Sequence, residues 1–393
     1  MDRLPVPVSV PVSVSVSVSV TVSVSVSVSV SVSVSVSVTL WALCSTRGAA
    51  GGRAGPGAPL SGAMKTDAVN REFTETAQQP SAVTGGLAVA GGWRPDYLRV
   101  RGKEPLAALD RIVTQAVKQL QPGEGRLALL LHAKGQFRAL FAVLADGEGA
   151  TLLAPPGRGS EVAAGLERYL ALSRCRLEQS PPAALTLLGP GWEAVVAACG
   201  ADPAPLRAGG WAAVGEGEGR LEFSGWTLLG VPGVVVAAGG APAFEILERQ
   251  LAVAAAEPIQ TPTLECVRIL AAWPAWGAEL TEVTLPPEVA ILDELAISYR
   301  KGCYTGQETI ARMKTYGHPN WRLVRLRQEA GAETAPALPC ELFLEEGGKP
   351  KGRLTSWAHH PQLGGVALGM VHRIAPQDAP LLSADGRRFA PLP

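Results

Sequence analysis

The sequence predicts an α+β region followed by an all-β domain, and three observations carry that prediction. Helix-period and strand-period segments are mixed through residues 92–320. From Trp321 onward only short strand-like runs and Gly-rich turns remain. Before residue 92 the chain lacks the punctuation of a folded domain.

That early stretch is set apart first. Val8 to Thr39 alternates Val with Ser, interrupted at Pro11 and Thr21, a period of two that suits a strand and no amphipathic helix. Half of these residues are Ser and nearly all the rest β-branched, and a lone strand leaves its backbone unpaired in lipid, which argues against a membrane span. The start Met-Asp-Arg with no compact apolar stretch argues against a signal peptide. The expectation is a low-complexity arm and Gly/Ala/Pro linker over 1–63, disordered or translated from a repeat upstream of a true start at Met64. A flexible lead-in is expected over 64–91.

The folded part is then read in order. Asp96–Gly102 is a strand, and 103–120 carries a helical stripe of Leu106, Leu109, Ile112, Val113, Val117 and Leu120, ended by Pro122-Gly123. Residues 126–146 are two strands joined by His132-Ala133-Lys134-Gly135, followed by a helix over 161–172 and a strand over 175–180. A short helix at 190–202 and strands near 220–230 and 233–240 precede a helix over 241–257. Thr261-Pro262 sets up another helix through Trp273. Strands at 321–328, 340–346, 352–360, 364–373 and 380–388 make a small β-barrel over 321–393.

Composition narrows the function. Lys plus Arg number 35 and Asp plus Glu 35, so no net charge draws the chain to nucleic acid or an anionic membrane. The six cysteines (44, 175, 199, 266, 303, 340) include no C-x-x-C pair, and the five histidines offer no H-x-x-H spacing, so no metal site is expected. Scattered thiols without a secretion signal suit a reducing cytoplasm.

The polar side chains converge in "KGCYTGQETIARM", residues 301–313. Thr305 with Glu308 three positions later has the form of a capping box. Cys303 then lies just outside a helix N-terminus with Lys301 beside it, and both lower a thiol pKa. The bland alternative is a turn with a buried cysteine beneath it, since free Cys often packs as a small hydrophobe.

"KGCYTGQE" resembles the signature of the YgfZ family, folate-binding relatives of the glycine-cleavage aminomethyltransferase (GcvT, or T-protein) that support iron–sulfur enzymes. "RILAAWP" at 268–274 is similar to the family's Arg-led segment, with Ala272 where Gly is usual. "AKG" at 133–135 and Val113-Thr114 are similar to its N-terminal turn and helix, with Ala116 in place of an expected Asp. Residues 352–373 are similar to its closing barrel. The resemblance spans roughly 95–393 and implies GcvT-like α/β subdomains around a central cleft over 92–320, then the barrel.

The resemblance implies a tetrahydrofolate-binding protein that assists assembly or repair of iron–sulfur proteins, its partners being those proteins or their assembly machinery. Cys303 would be the reactive group and Lys301 its electrostatic support or a contact for an anionic ligand. Tyr304 would stack on a pterin or pack beneath it. Gln307 and Glu308 would offer hydrogen bonds to the pterin edge, and Arg312 would bind the acidic tail or pair with Glu308. Lys134 would line the opening, and Arg268 and Glu279 are weaker candidates, more structural than functional. The five tryptophans from Trp211 to Trp321 are expected to pack. T-protein chemistry is associated with an acid after the Gly turn, and 135–140 (GQFRAL) has none. A non-catalytic folate-binding adaptor and an aminomethyltransferase or demethylase stay as alternatives.

Overall fold

The structure, a computed structural model, describes Val83 and residues 86–179, 183–329 and 334–392. The arm and linker expected over 1–63, and Cys44 with them, lie outside the described residues.

The first strand, β1 (Ala88–Ala90), lies inside the stretch expected to be a flexible lead-in. After it come β2 (Asp96–Gly102), helix α1 (Pro105–Asp110), β3 (Gly125–Leu131), β4 (Phe137–Ala145), β5 (Ala150–Ala154), helix α2 (Gly159–Leu172) and β6 (Cys175–Gln179). β2 to β6 form an antiparallel sheet in the order β3-β4-β5-β2-β6. β3 and β4 read as near-continuous apolar runs because both faces of this sheet are buried. Ala128, Leu130, Phe141 and Val143 pack with Leu109, Val162 and Leu166 on the α2 side. Leu127, Leu129, Leu131 and Leu140 face the other way.

The helix expected over 103–120 stops at Asp110. Asp110 Oδ1 accepts hydrogen bonds from the amides of Val117 (2.8 Å) and Lys118 (3.1 Å), folding the chain back on itself. Ile112, Val113, Val117 and Leu120 are still buried with Leu109 in one cluster. The apolar stripe is therefore genuine, but turns rather than helix present most of it.

A second sheet contains β7 (Ala183–Leu188), β8 (Trp211–Val214), β9 (Leu221–Ser224), β10 (Gly233–Ala238) and β11 (Glu257–Pro258), in the order β11-β1-β7-β10-β9-β8. Helices α3 (Trp192–Ala198), α4 (Ala204–Arg207) and α5 (Ala241–Val253) lie between its strands in the chain. Trp192, Val196, Leu206 and Leu247 of these helices pack on its Phe223 and Val236 face. The opposite face, with Leu188, Val235 and Ala237, joins Leu127, Leu129 and Leu140 of the first sheet in one shared core.

Helices α6 (Thr261–Leu270), α7 (Ala290–Ala296) and α8 (Gln307–Tyr316) lead to the barrel. Its strands are β12 (Trp321–Gln328), β13 (Cys340–Phe343), β14 (Gly352–His360), β15 (Gly364–His372), β16 (Leu381–Ser383) and β17 (Arg388–Pro391), closed in the order β12-β15-β14-β13-β16-β17. Leu326, Leu342, Leu354, Val371 and Phe389 fill it. Outward-facing Ala358, Val366 and Leu368 bury against Cys266, Ile269 and Leu270 of α6. The expected α+β region with a C-terminal barrel is thus what the chain adopts. Among the described residues no helix is long and apolar enough to cross a membrane.

Candidate functional site

The signature is held by two contacts, one on each side of Cys303. On the C-terminal side, Gly306 is the N-cap of α8, at φ 83°. A Cβ there would stand 2.6 Å from the His132 carbonyl oxygen, and one on Gly135 (φ 87°) would meet Thr309 at 3.1 Å. The Ala-Lys-Gly turn between β3 and β4 therefore seats directly on the first turn of α8, through two glycines that lack side chains. This replaces the expected capping box: no side chain caps α8.

On the N-terminal side, residues 295–301 lie along 110–115. Thr114 Oγ1 donates to the Ala296 carbonyl at 2.6 Å, Gln115 Nε2 to that of Leu295 at 3.0 Å, and the Ser298 amide to that of Thr114 at 3.0 Å. Lys301 Nζ donates to the carbonyls of Asp110, Val113 (2.8 Å) and Gln115 (3.1 Å), with the Asp110 carboxylate 3.6 Å away. Its side chain is 3% exposed. Burial pulls this ammonium below its ordinary pKa, and Asp110 opposes that pull. The expectation that Lys301 contacts an anionic ligand is corrected here, because its three N–H donors are all taken by backbone carbonyls.

Between these contacts Cys303 and Gly302 are exposed. Tyr304 turns inward beside them, its hydroxyl buried without a hydrogen-bond partner and its ring 5.6 Å from Lys301 Nζ. Burial, then Asp293, pushes its pKa up to about 12. Tyr304 is therefore part of the buried core, in the same cluster as Leu228 and Trp273. Gln307 is half-buried, whereas Glu308, Arg312 and Lys134 are exposed. Among the described residues no ion pair joins Glu308 to Arg312.

Arg268 and Glu279 are fully committed to structure. Glu279 accepts from Arg268 Nη1 (3.1 Å), the Ala275 amide (2.8 Å), Thr355 Oγ1 (2.5 Å) and Ser356 Oγ (2.7 Å). Arg268 Nη2 also donates to Ser356 at 2.7 Å, so the pair ties α6 to β14 of the barrel. Neither is free for a ligand.

A cavity of about 180 Å³ opens among Trp192, Trp226, Trp273, Leu228, Val231 and Leu295. The Arg207–Glu193 ion pair also lines it, with Arg207 Nε 2.7 Å from Glu193 Oε1. The Trp226 indole N–H is buried and unpartnered. Three indoles, two of which were expected only to pack, therefore wall this space, and none of the seven predicted site residues lines it. Tyr304 of the signature belongs to the same buried core cluster as Leu228, Val231 and Trp273 of the cavity lining. No local signal marks these walls: Gly precedes Trp at 92–93, 191–192, 210–211 and 225–226, yet only Trp192 and Trp226 of those four line the cavity. Among the described residues no group of three or more His, Cys, Asp or Glu is arranged to hold a metal ion.

The architecture is the fold seen in aminomethyltransferase T. Glycine cleavage system aminomethyltransferase T from Bartonella henselae matches with a TM-score of 0.66 over 79% of this chain and 86% of that one, at 17% identity. By sequence, the chain is 24% identical over 217 residues to the tRNA-modifying protein YgfZ of Vibrio atlanticus (strain LGP32), covering 55% of this chain and 62% of that protein. It is 32% identical over 137 residues to a chloroplastic protein of Arabidopsis thaliana whose name assigns it only provisionally to the transferases, covering 35% of this chain and 28% of that protein. The matches thus span less than two thirds of either curated relative. No protein-family model matches the chain. The chain is thus similar to YgfZ in sequence and to the GcvT aminomethyltransferase in fold.

Proposed function

We propose that this protein binds tetrahydrofolate or a related folate and supports assembly or repair of iron–sulfur proteins, with Cys303 as its reactive group. The observation that supports this most is the exposed Cys303 thiol of the KGCYTGQE signature in a chain with the aminomethyltransferase T fold. The cavity suits a flat heteroaromatic ring: its walls are indoles and aliphatic side chains, and the unpartnered Trp226 N–H is a buried donor awaiting an acceptor. Trp226, Trp273 and Leu295 would hold the ring. A bound folate supplies one-carbon carriage. Exposed Lys134 and Arg312, on the two elements that meet at Gly306, would attract its acidic tail, and Gln307 and Glu308 would add hydrogen bonds.

Aminomethyl transfer itself is disfavoured because the β3–β4 hairpin carries Gln136 and Arg138 where that chemistry calls for an acid. Arg138 leans toward the Ala164 carbonyl of α2 instead. Partners in this reading are iron–sulfur proteins or their assembly machinery, in the cytoplasm.

The test is a strain lacking this protein, assayed for several 4Fe–4S enzymes and complemented with wild type or Cys303→Ala, alongside thermal unfolding with tetrahydrofolate under reducing conditions. Rescue by wild type alone, with a folate-dependent rise in melting temperature for both chains, is expected. Full rescue by Cys303→Ala makes the protein a non-catalytic adaptor. No folate shift at saturation removes the cofactor from the reading.

A further inference from the structure

We propose that Lys301 is a positioning residue. Its ammonium substitutes for the helix that α1 does not continue, locks residues 110–115 against 295–301, and so sets the Leu295 wall of the cavity while leaving Cys303 open to solvent.

A chain that leaves a helix exposes carbonyls, and buried carbonyls must find donors. Here those of Asp110, Val113 and Gln115 converge on one point, and Lys301 Nζ occupies it. An ammonium has three N–H groups and needs three acceptors when buried. The match accounts for a cation with a 3% exposed side chain whose nearest carboxylate is 3.6 Å away. The same two segments are joined by Thr114, Gln115 and Ser298, and the Gln115 bond ends on the carbonyl of Leu295, a cavity-lining residue. Lys301 is therefore the last fastener of a seam that runs from the signature to the cavity. A planar guanidinium cannot place its donors on three converging oxygens, so arginine is no substitute. The influence on a ligand rests on the reading that the cavity binds one. The seam itself does not.

The experiment compares wild type with Lys301→Met and Lys301→Arg. Without ligand, amide exchange at Thr114, Val117 and Ser298 should speed up by about tenfold or more in both variants, since three carbonyls lose their donor. Amides in the β12–β15 ladder should not change. The pH profile of Cys303 alkylation should stay where it is in wild type, and tetrahydrofolate affinity should fall by about tenfold in folded variants. Unchanged exchange at the three amides overturns the seam. An alkylation profile displaced to higher pH in Lys301→Met overturns the assignment and returns Lys301 to the thiol. Faster exchange with undiminished folate affinity overturns the link to Leu295. If Lys301→Met does not fold, Gln115→Ala removes one bond of the same seam and must raise the same exchange rates more modestly. If wild type binds no folate, the proposed function fails while the exchange rates still judge the seam.

Discussion

Gly302 and Gly306 sit four positions apart in the signature under very different constraints. Gly306 is at φ 83° with the His132 carbonyl 2.6 Å from where a Cβ would stand, whereas nothing lies within 4 Å of a Cβ on Gly302. Gly306→Ala should therefore cost about 2–3 kcal/mol, from left-handed strain plus displacement of the 132–135 turn. Gly302→Ala should stay within about 0.5 kcal/mol. Urea denaturation of the two variants decides it, and equal losses would contradict the seating of the turn on α8. The cysteines differ as sharply. Cys303 is exposed, while burial raises the thiols of Cys175, Cys199 and Cys340 and pushes Cys266 up to about 12. A raised pKa keeps a thiol protonated and unreactive over a wider range of pH. In a chain starting at Met64, neutral iodoacetamide should label Cys303 first, and a move to mildly alkaline pH should still leave Cys266 unlabelled. Peptide mapping that finds Cys266 modified early would show the α6–barrel packing to be open.

At the scale of single elements, two helix ends depart from the pattern in the sequence. The end of α6 is a Schellman turn: the Ala272 amide donates to Ile269 and the Trp273 amide to Arg268, each at 3.0 Å. Ala272 takes the left-handed position at φ 51°, which glycine usually fills. Ala272→Gly should accordingly raise stability by about 1 kcal/mol, seen as a higher urea midpoint with unchanged slope. The start of α8 makes the reverse point. A true Thr305 cap would lose about 1 kcal/mol on mutation to Ala. Because Gly306 is the N-cap, Thr305→Ala should cost less than about half of that. The capping box looked complete in the sequence because its residues were correctly spaced. Spacing carries no information about a distant turn that presses on Gly306.

Across the whole molecule the barrel is fastened to the α+β body by Arg268, Glu279, Thr355 and Ser356. Arg268→Met leaves the buried Glu279 carboxylate without its cation and should destabilise by about 3–5 kcal/mol. Chemical denaturation would show it, and a neutral result would mean that the barrel docks on apolar contact alone. Strands β12 to β16 of the barrel, the β3–β4 hairpin and helices α2, α5 and α6 were legible from the sequence, because apolar periodicity and Gly or Pro punctuation are local properties, whereas the run read as one strand over 380–388 turns after Ser383 and β17 begins only at Arg388. So was the signature, whose residue types are rare in a chain so rich in Ala, Val, Leu, Gly and Pro. The short strands β1, β5, β7 and β8 were not, since three to six apolar residues fit a strand or a loop until a neighbouring strand pairs with them. By itself the sequence determined the class of fold, the barrel and the exposed thiol's place in a distinctive motif. Only the tertiary structure decided that Lys301 turns to the loop at 110–115, that Tyr304 packs inward, and that three indoles far apart in the chain wall one cavity. Those outcomes depend on which buried carbonyls and side chains meet across the fold.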